Sequence, residues 1–480
     1  MIASLARSLG FFTTAESSMN KKLLSLAVAA AVAAPTAAMA EAVLYGKLNQ
    51  SIDYQDVTNA IAPTYTTVDE AGVTLTEEGQ EALAGFEGPV IVRNPAGDPL
   101  INNDGEDFSG WGISREGSFM QGSSRANRIG VKGSEDLGNG LKAIYQVELG
   151  LNLTAADDDI DSGNNGISYR NSFVGLAGDW GTVLAGRHDT PLKISTGKLD
   201  MFSDTMADYN GTVGFDDVRA DNVVAYISPS FSGFSFAGAV VAPGGATVDT
   251  FGGGDTNIDN DSLASAWSLA LIYNNGPFYG SAAYEVLGAD HFMDSNTALA
   301  GNAGCINTDG TETLSCSYID DDYSKWRIGL GLLDWNGFSL SAIYEQQDDL
   351  PGGQVRNATA FVNPDGTVDF LGVTGVKEQR LWQVQAGYSF GNNMVKAMYG
   401  AVDRDADRPL DSFRANPRAI GNLTDDLEGD RETWAIGFDH NFSKRTKAYA
   451  LYVDVTDDSN KEPGGANEFN GFSLGVVHKF

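Results

Sequence analysis

The stretch "SRANRIGVKGSEDLGNGLKAIYQVELG", Ser124–Gly150, decides the fold. Successive side chains of a strand point to opposite faces of a sheet. In the first run Ile129 and Val131 share one face, while Arg128 and Lys132 share the other. The second run repeats the pattern, with Ala143, Tyr145, Val147 and Leu149 opposed by Lys142, Gln146 and Glu148. Leu137-Gly138-Asn139-Gly140 between them is a tight-turn signal, so the pair reads as a β-hairpin. A soluble sandwich alternates in the same way with its apolar face inward, so this hairpin alone does not say which side is the inside.

The amino terminus points to a compartment. Met19-Asn20-Lys21-Lys22 is a short basic region, Leu23 to Ala34 an apolar run, and Ala38-Met39-Ala40 a small-residue cleavage signal. Together they read as a secretory signal peptide over residues 1–40, with extra residues before Met19 and the mature chain starting at Glu41. The apolar run is shorter than the ~20 residues of a spanning helix. The whole chain carries 31 basic and 64 acidic residues; without the leader's three basic and one acidic residues, 28 and 63 are left, a net of −35. Such a balance argues against nucleic acid as a partner. The remaining 440 residues show no linker, no composition break and no amphipathic helix of convincing length, which favours one large β domain.

Strand-like alternation recurs sixteen times, near 42–54, 123–135, 141–153, 167–177, 181–188, 221–228, 234–242, 262–274, 278–287, 323–334, 338–346, 378–390, 394–403, 431–441, 446–457 and 470–480. Short turns such as "LGNG", "GDWG", "NNGP" and "WNG" take turns with long polar segments. A soluble sandwich has no reason for that asymmetry, whereas a membrane barrel pairs short periplasmic turns with long outer loops. In 378–390, Trp382, Val384, Ala386, Tyr388 and Phe390 oppose Gln383, Gln385, Gly387 and Ser389; in 262–274, Trp267, Leu269, Leu271 and Tyr273 oppose Ser268, Ala270 and Asn274. Aromatic residues end the apolar sets, as in a lipid-facing band with aromatic girdles around a polar lumen. The expected fold is all-β, a 16-stranded antiparallel transmembrane β-barrel over 41–480.

Several of these segments resemble one family. "AVLYGKLNQSIDY", "NRIGVKGSEDLGNGLKAIYQVELG", "YRNSFVGLAGDWGTVLAGRHDTP", "RADNVVAYISPSFSGFSF" and the terminal "GFSLGVVHKF" are together similar to the general diffusion porins of Gram-negative outer membranes, the trimeric porin family. Residues 240–430 share only the rhythm. The resemblance implies a homotrimer in the cell outer membrane, a water-filled channel for passive diffusion of small hydrophilic solutes and ions, and a third outer loop, about 190–216, folded into the pore. It also implies contact with outer-membrane lipid and lipopolysaccharide, and a carboxy-terminal assembly signal ending in Phe480, with Gly475 and His478 before it, read by the barrel-assembly machinery.

Matched position by position, Lys47 in "LYGK", Arg128 in "NRIG", Arg170 in "YRNSF" and Arg219 in "RADN" correspond to the basic wall of the constriction, and Arg187 in "GRHD" to an anchor at the base of the loop. The acidic candidates are Asp200, Asp204 and Asp208 on the loop and Glu148 on the third strand. The loop lacks the proline-glutamate motif of enteric members, so which aspartates protrude is open. The first outer segment, about Asp56 to Gly122, is longer than the family's and is open to two readings, a cap over the vestibule or a partly disordered stretch. Cys305 and Cys316, in an exported chain, are expected to form a disulfide within the fifth outer loop. No cofactor or fixed metal is expected; "DDDIDSGNNG" at 157–166 and "DTNIDND" at 255–261 resemble calcium loops but lack the closing glutamate, leaving at most loosely bound Ca²⁺ or Mg²⁺. The four histidines form no recognisable spacing with a nucleophile, so no enzyme is expected. The alternatives to a channel are a barrel acting mainly as an adhesin or receptor through its acidic loops, or a barrel enzyme.

Overall fold

The computed structural model describes residues 42–480 apart from 62–63, 84–89, 98, 104–105, 115–124, 155–165, 243–262, 265, 289–315, 318–321, 351–354, 375, 407–428 and 459–467. The leader, Cys305 and the two calcium-like stretches lie largely or wholly outside the described residues, and so does the proposed disulfide.

Sixteen strands close into one antiparallel ring. In chain order they are β1 (Val43–Ile61), β2 (Glu106–Ile113 and Arg128–Gly138), β3 (Leu141–Leu151), β4 (Ile167–Tyr169 and Ser172–Gly178), β5 (Gly181–Asp189), β6 (Arg219–Ile227), β7 (Phe234–Val241) and β8 (Ala266–Asn275). They continue as β9 (Phe278–Leu287), β10 (Tyr323–Trp335), β11 (Phe338–Asp348), β12 (Val376–Phe390), β13 (Asn393–Ala406), β14 (Arg431–Asn441), β15 (Thr446–Asp457) and β16 (Phe469–Lys479). Each pairs with its sequence neighbours, and β16 returns to β1 from Lys47↔Lys479 to Val57↔Phe469. Phe480 completes the seam: its N–H donates to the Gly46 carbonyl at 3.1 Å, and Gly46 N–H donates back at 3.0 Å. Closure leaves no strand edge to meet hydrocarbon, where each unpaired backbone group costs several kcal/mol.

The connections alternate as the sequence implies. One end carries the turns 139–140, 179–180, 228–233, 276–277, 336–337, 391–392 and 442–445, and the other carries every long segment. Gly138, Asn139 and Gly140 all have positive φ, the conformation a tight hairpin turn demands. On β12, Trp382, Val384, Tyr388 and Phe390 are exposed to the outside while Gln383 and Gln385 are buried inward. Cross-strand pairs Trp267–Tyr284, Trp326–Tyr344, Trp382–Tyr399 and Trp434–Tyr452, with centroids 5.1–5.5 Å apart, ring the outer rim. Phe234–Tyr273 and Phe338–Tyr388, each at 4.6 Å, do the same near the turns. Amphipathic rings at two levels mark the two membrane interfaces.

Strand β2 differs from expectation. Its upper piece, Glu106–Ile113, lies where an outer segment was expected, and Arg125–Asn127, expected to begin the strand, have left the sheet. Side chains take over the vacated ladder positions on β1: Asn49 N–H donates to Asn127 Oδ1 at 2.6 Å and Ser51 N–H to Ser114 Oγ at 2.9 Å. Arg125 is completely buried, with Nη2 2.7 Å from Asp53 Oδ2 and Nε donating to Ser51 Oγ at 3.0 Å. A β2 strand broken there keeps its backbone partners satisfied, which removes the cost that otherwise holds a strand continuous.

Above the ring, the first outer segment does not stand alone. Val90–Val92 runs parallel to Ala360–Val362, part of a hairpin (Val355–Val362 and Val368–Thr374) in the loop between β11 and β12. Val92, Ala360 and Val362 are fully buried there, and the Arg93 guanidinium lies 4.0 Å over the Phe361 ring. This small sheet ties two loops that β13–β16 separate on the short arc of the ring. The described part of the segment is therefore folded and capped by apolar burial.

Candidate functional site

The third outer segment, residues 190–218 between β5 and β6, folds into the barrel. Thr190 caps the helical turn Pro191–Thr196, accepting the Lys193 N–H at 3.4 Å, with Pro191 at its first position. Asp208 caps a second turn, Tyr209–Thr212, accepting the Asn210 N–H at 3.0 Å. The loop then follows the inner wall strand by strand. Leu192 N–H donates to Ser268 Oγ of β8 at 3.1 Å, and the Ser195 carbonyl accepts Tyr279 Oη of β9 at 2.7 Å. The Leu199 carbonyl accepts Ser341 Oγ of β11 at 2.7 Å, and the Met201 carbonyl accepts Lys396 Nζ of β13 at 2.7 Å. At the tip the Asp204 carbonyl accepts Asn49 Nδ2 of β1 at 2.6 Å. On the return Asp216 meets Lys325 at 2.8 Å and Asp217 meets Arg327 at 2.6 Å, both on β10.

This path divides the lumen unequally. Against β9–β16 the loop buries Leu199, Phe202, Met206 and Val213 among Tyr279, Ile343, Leu381, Met398, Tyr449 and Val453. Those wall positions face inward yet are apolar, a departure from the uniformly polar lumen expected, because they pack a loop and do not line water. The opposite wall, β1–β6, stays open beside the loop, and its charged residues border that space, whereas Lys325, Arg327 and Lys396 of the far wall are buried against the loop. Arg128, Arg170, Lys193 and Arg219, with Asp189, Asp200, Asp204 and Asp208, line one cavity of about 340 Å³.

The pairing in and around this cavity is specific. Lys47 bonds the Asp204 carboxylate. Arg128 stands between two acids without closing on either, 3.8 Å from Glu148 and 3.9 Å from Asp204. Arg170, at the break in β4, donates through Nε to Glu148 at 2.6 Å, and Tyr45 Oη donates to the same carboxylate at 2.8 Å. Gly130 leaves room for that tyrosine, since a methyl group there would lie 2.6 Å from its ring. Arg219 is 2.9 Å from Asp189 and donates to Asn171 Oδ1 at 2.7 Å; Lys193 shares Asp189 at 3.3 Å. Arg187 donates to the Tyr169 carbonyl at 3.0 Å and pairs with Asp221 at 2.5 Å, tying β4, β5 and β6 beneath the loop.

The acidic candidates separate into three situations. Glu148 sits on the arginine wall as a shared counter-ion, not across the cavity from it. Asp200 and Asp208 turn back into the loop: Asp200 Oδ1 accepts from Phe202 N–H at 2.9 Å and Gln385 Nε2 at 2.8 Å, and Asp208 accepts the Asp204 N–H at 2.7 Å. Only Asp204, held at φ +61°, presents its carboxylate to the basic wall. Burial lifts the Asp200 carboxyl to about 6, although the Gln385 amide, the Phe202 N–H and the Lys396 ammonium all favour its charged form. Burial, with Asp200 and Asp204 nearby, holds Asp208 well above the usual carboxylate range. A raised carboxyl takes up its proton as pH falls through that value, so acidification strips negative charge from the loop. Lowering pH from about 7.5 to about 5 is expected to move the reversal potential in a salt gradient toward anions, and Asp200→Asn to remove most of that step. An identical step in wild type and variant would refute the assignment.

Several members of the site were not identified from sequence. Lys325 and Arg327 alternate on β10 with Tyr323, and that shared parity was the available signal. Asp189, Asp216 and Asp217 flank the loop at the strand ends, where acids are too common to stand out.

Comparisons with known proteins agree with this architecture. Residues 27–462 match the family model described as Gram-negative porin. The chain is 26% identical to the major outer membrane protein P.IA of Neisseria meningitidis serogroup A, covering 96% of this chain and 100% of that protein. It is 28% identical to an outer membrane porin protein of Bordetella pertussis over 73% of this chain and 81% of that one. Among solved structures, the anion-selective porin from Comamonas acidovorans superposes with a TM-score of 0.52 at 19% identity, covering 92% of this chain and 99% of that one.

Proposed function

The chain belongs to the Gram-negative porin family, and from that premise we propose that the cavity between the third loop and β1–β6 is its selectivity filter. The protein resides in the outer membrane and forms a water-filled channel through which small hydrophilic solutes and ions diffuse passively. In the proposed filter Lys47, Arg128, Arg170 and Arg219 form the basic wall, and Asp204 is the acidic residue that faces it. The observation that carries this reading is Arg128, poised between Glu148 and Asp204 and fully neutralised by neither. A guanidinium so placed attracts an anion to the passage and imposes a transverse field on dipolar solutes, as charged rings do in other channels. Glu148 and Asp189 are proposed as holders that fix the arginine geometry, and Arg187 as the anchor of the loop base. No catalytic step enters this reading.

Three further elements of the proposal rest on the family. The working unit is a homotrimer, the leader is removed after Ala40, and Phe480 closes a segment read by the barrel-assembly machinery. Acidic outer loops meeting lipopolysaccharide phosphates through Ca²⁺ or Mg²⁺, and a Cys305–Cys316 bridge, belong to the same proposal. Planar-bilayer recording tests its core: purified protein should insert in steps of three coupled ohmic levels, with a reversal potential in a salt gradient displaced toward anions relative to what a net of −35 suggests. Absence of conductance from protein with intact β-sheet content would overturn the channel, and strong cation preference would overturn the filter.

A further inference from the structure

The apolar side of the third loop meets the far wall in a recurring way. Four of the apolar side chains that the loop turns toward β9–β16 end where that wall carries an inward glycine. Leu199, fully buried, lies over Gly329 and Gly331 of β10, where added methyl groups would sit 2.6 and 2.7 Å from its terminal carbons. Val213 fills the space over Gly400 of β13, with 2.8 Å to a methyl group built there. Phe202, also fully buried, lies over Gly437 of β14 at 3.0 Å, and Met206 over Gly471 of β16 more closely still. Real Cβ atoms essentially never approach other atoms within less than 3.0 Å, and the 3.0 Å at Gly437 is itself tighter than most, so these sockets depend on wall residues that lack side chains.

We infer that these glycine sockets are positioning residues that set the bore of the channel: how deeply the loop seats in the far wall fixes how much lumen is left on the basic side. The inference rests on the filter proposed above and adds residues on the opposite side of the barrel that touch no permeating solute. The physical reason is incompressibility. Packed interiors have almost no free volume, so a methyl group added beneath a buried side chain displaces what lies over it. The far wall is a hydrogen-bonded ring that does not yield, whereas the loop has the open passage beside it. A loop lifted from its sockets therefore moves toward Arg128 and Arg170 and narrows the space between. The inference also accounts for why glycine, a poor strand former, occurs at inward positions in β10, β13, β14 and β16.

The test is a size-exchange cycle read in single-channel current. Gly471→Ala is expected to lower the unit conductance by roughly a third and to reduce the largest sugar that enters in liposome swelling, with heat-modifiable migration showing a folded barrel. Adding Met206→Ala to that variant removes the side chain that the methyl group lifts, and conductance should return to near the wild-type level. Gly400→Ala with Val213→Ala forms an independent second cycle, so that one misfolded variant does not decide the matter. Gly280→Ala, on the lipid side of β9 where a methyl group meets only Leu330 at 3.9 Å, should leave conductance unchanged. Unchanged conductance in both glycine variants, or a fall that the paired substitution fails to restore, would overturn the inference. Wild-type protein without conductance would instead sink the channel reading on which it rests.

Discussion

Neutralising Arg128, Arg170 and Arg219 together is expected to shift the reversal potential clearly toward cations, by about tenfold in the permeability ratio, which corresponds to ~1.4 kcal/mol. The chain's overall charge predicts the opposite order of importance, since a net of −33 suggests that acids dominate selectivity. Distance decides between them. Charges on outer loops are screened within ~8 Å at physiological salt, while those lining a narrow passage stand a few ångströms from the permeating ion in a medium of lower effective dielectric. Replacing Asp157, Asp158 and Asp159 by asparagine should therefore move the potential much less, and its effect should fade as salt rises. The geometry also ranks the single variants. Arg128 reaches its two acids only at 3.8 and 3.9 Å and otherwise donates to the Ala126 carbonyl at 3.3 Å, so Arg128→Gln should carry the largest share; Arg219 is saturated by Asp189 and Asn171 and should carry the smallest. A larger shift from the loop triple than from the arginine triple at about 0.15 M salt would show that these arginines are structural.

Removing the guanidinium of Arg327 is expected to be the most damaging single change to the filter's support, although it lies outside the basic wall. It is fully buried and joins three groups: Nε donates to Glu345 at 2.5 Å, and Nη1 to Asp217 at 2.6 Å and Thr196 Oγ1 at 2.8 Å. Asp217 closes the loop's return and Thr196 its outward leg, so one side chain clasps both legs of the loop to β10. Arg327→Met leaves Glu345 and Asp217 as buried charges without their cation, a loss of about 3–5 kcal/mol for a buried pair broken on one side. Arg327→Lys should recover little, because one ammonium lacks the planar fork that reaches Glu345 and Asp217 together. The double variant Arg327→Met with Glu345→Gln should be less damaged than Arg327→Met alone, since one orphaned charge is gone. Unfolding temperature by circular dichroism and flicker of the open-channel current report the two consequences. Wild-type stability and quiet currents in Arg327→Met would show that the clasp is dispensable.

The lipid-facing band, the sixteen strands and the sidedness of the connections were all legible in the sequence, because each depends on a neighbour two residues away or a turn a few residues long. Alternation with period two forces Trp382, Val384 and Tyr388 onto one face whatever the rest of the chain does, and "LGNG" makes its turn locally. Where a strand's continuity rests on distant side chains, the reading went astray: β2 breaks because Ser114 and Asn127 can bond the β1 backbone and because Arg125 finds Asp53, contacts that join residues dozens of positions apart. The same holds for the site. Parity placed Arg128 and Glu148 on the inner face, and similarity to a family added Lys47 and Arg170 and suggested which of them meet. Which acid protrudes was decided only by the folded loop, which spends Asp208 on a helix cap and Asp200 on Gln385 and leaves Asp204 facing Lys47. Inner positions such as Leu381, Met398 and Val453 read as exceptions to a polar lumen until the loop lies against them. Local periodicity determines which face a residue is on, because it is a property of the strand alone. What that face touches is a property of ring closure and of a loop crossing the lumen, and only the tertiary structure brings those partners together.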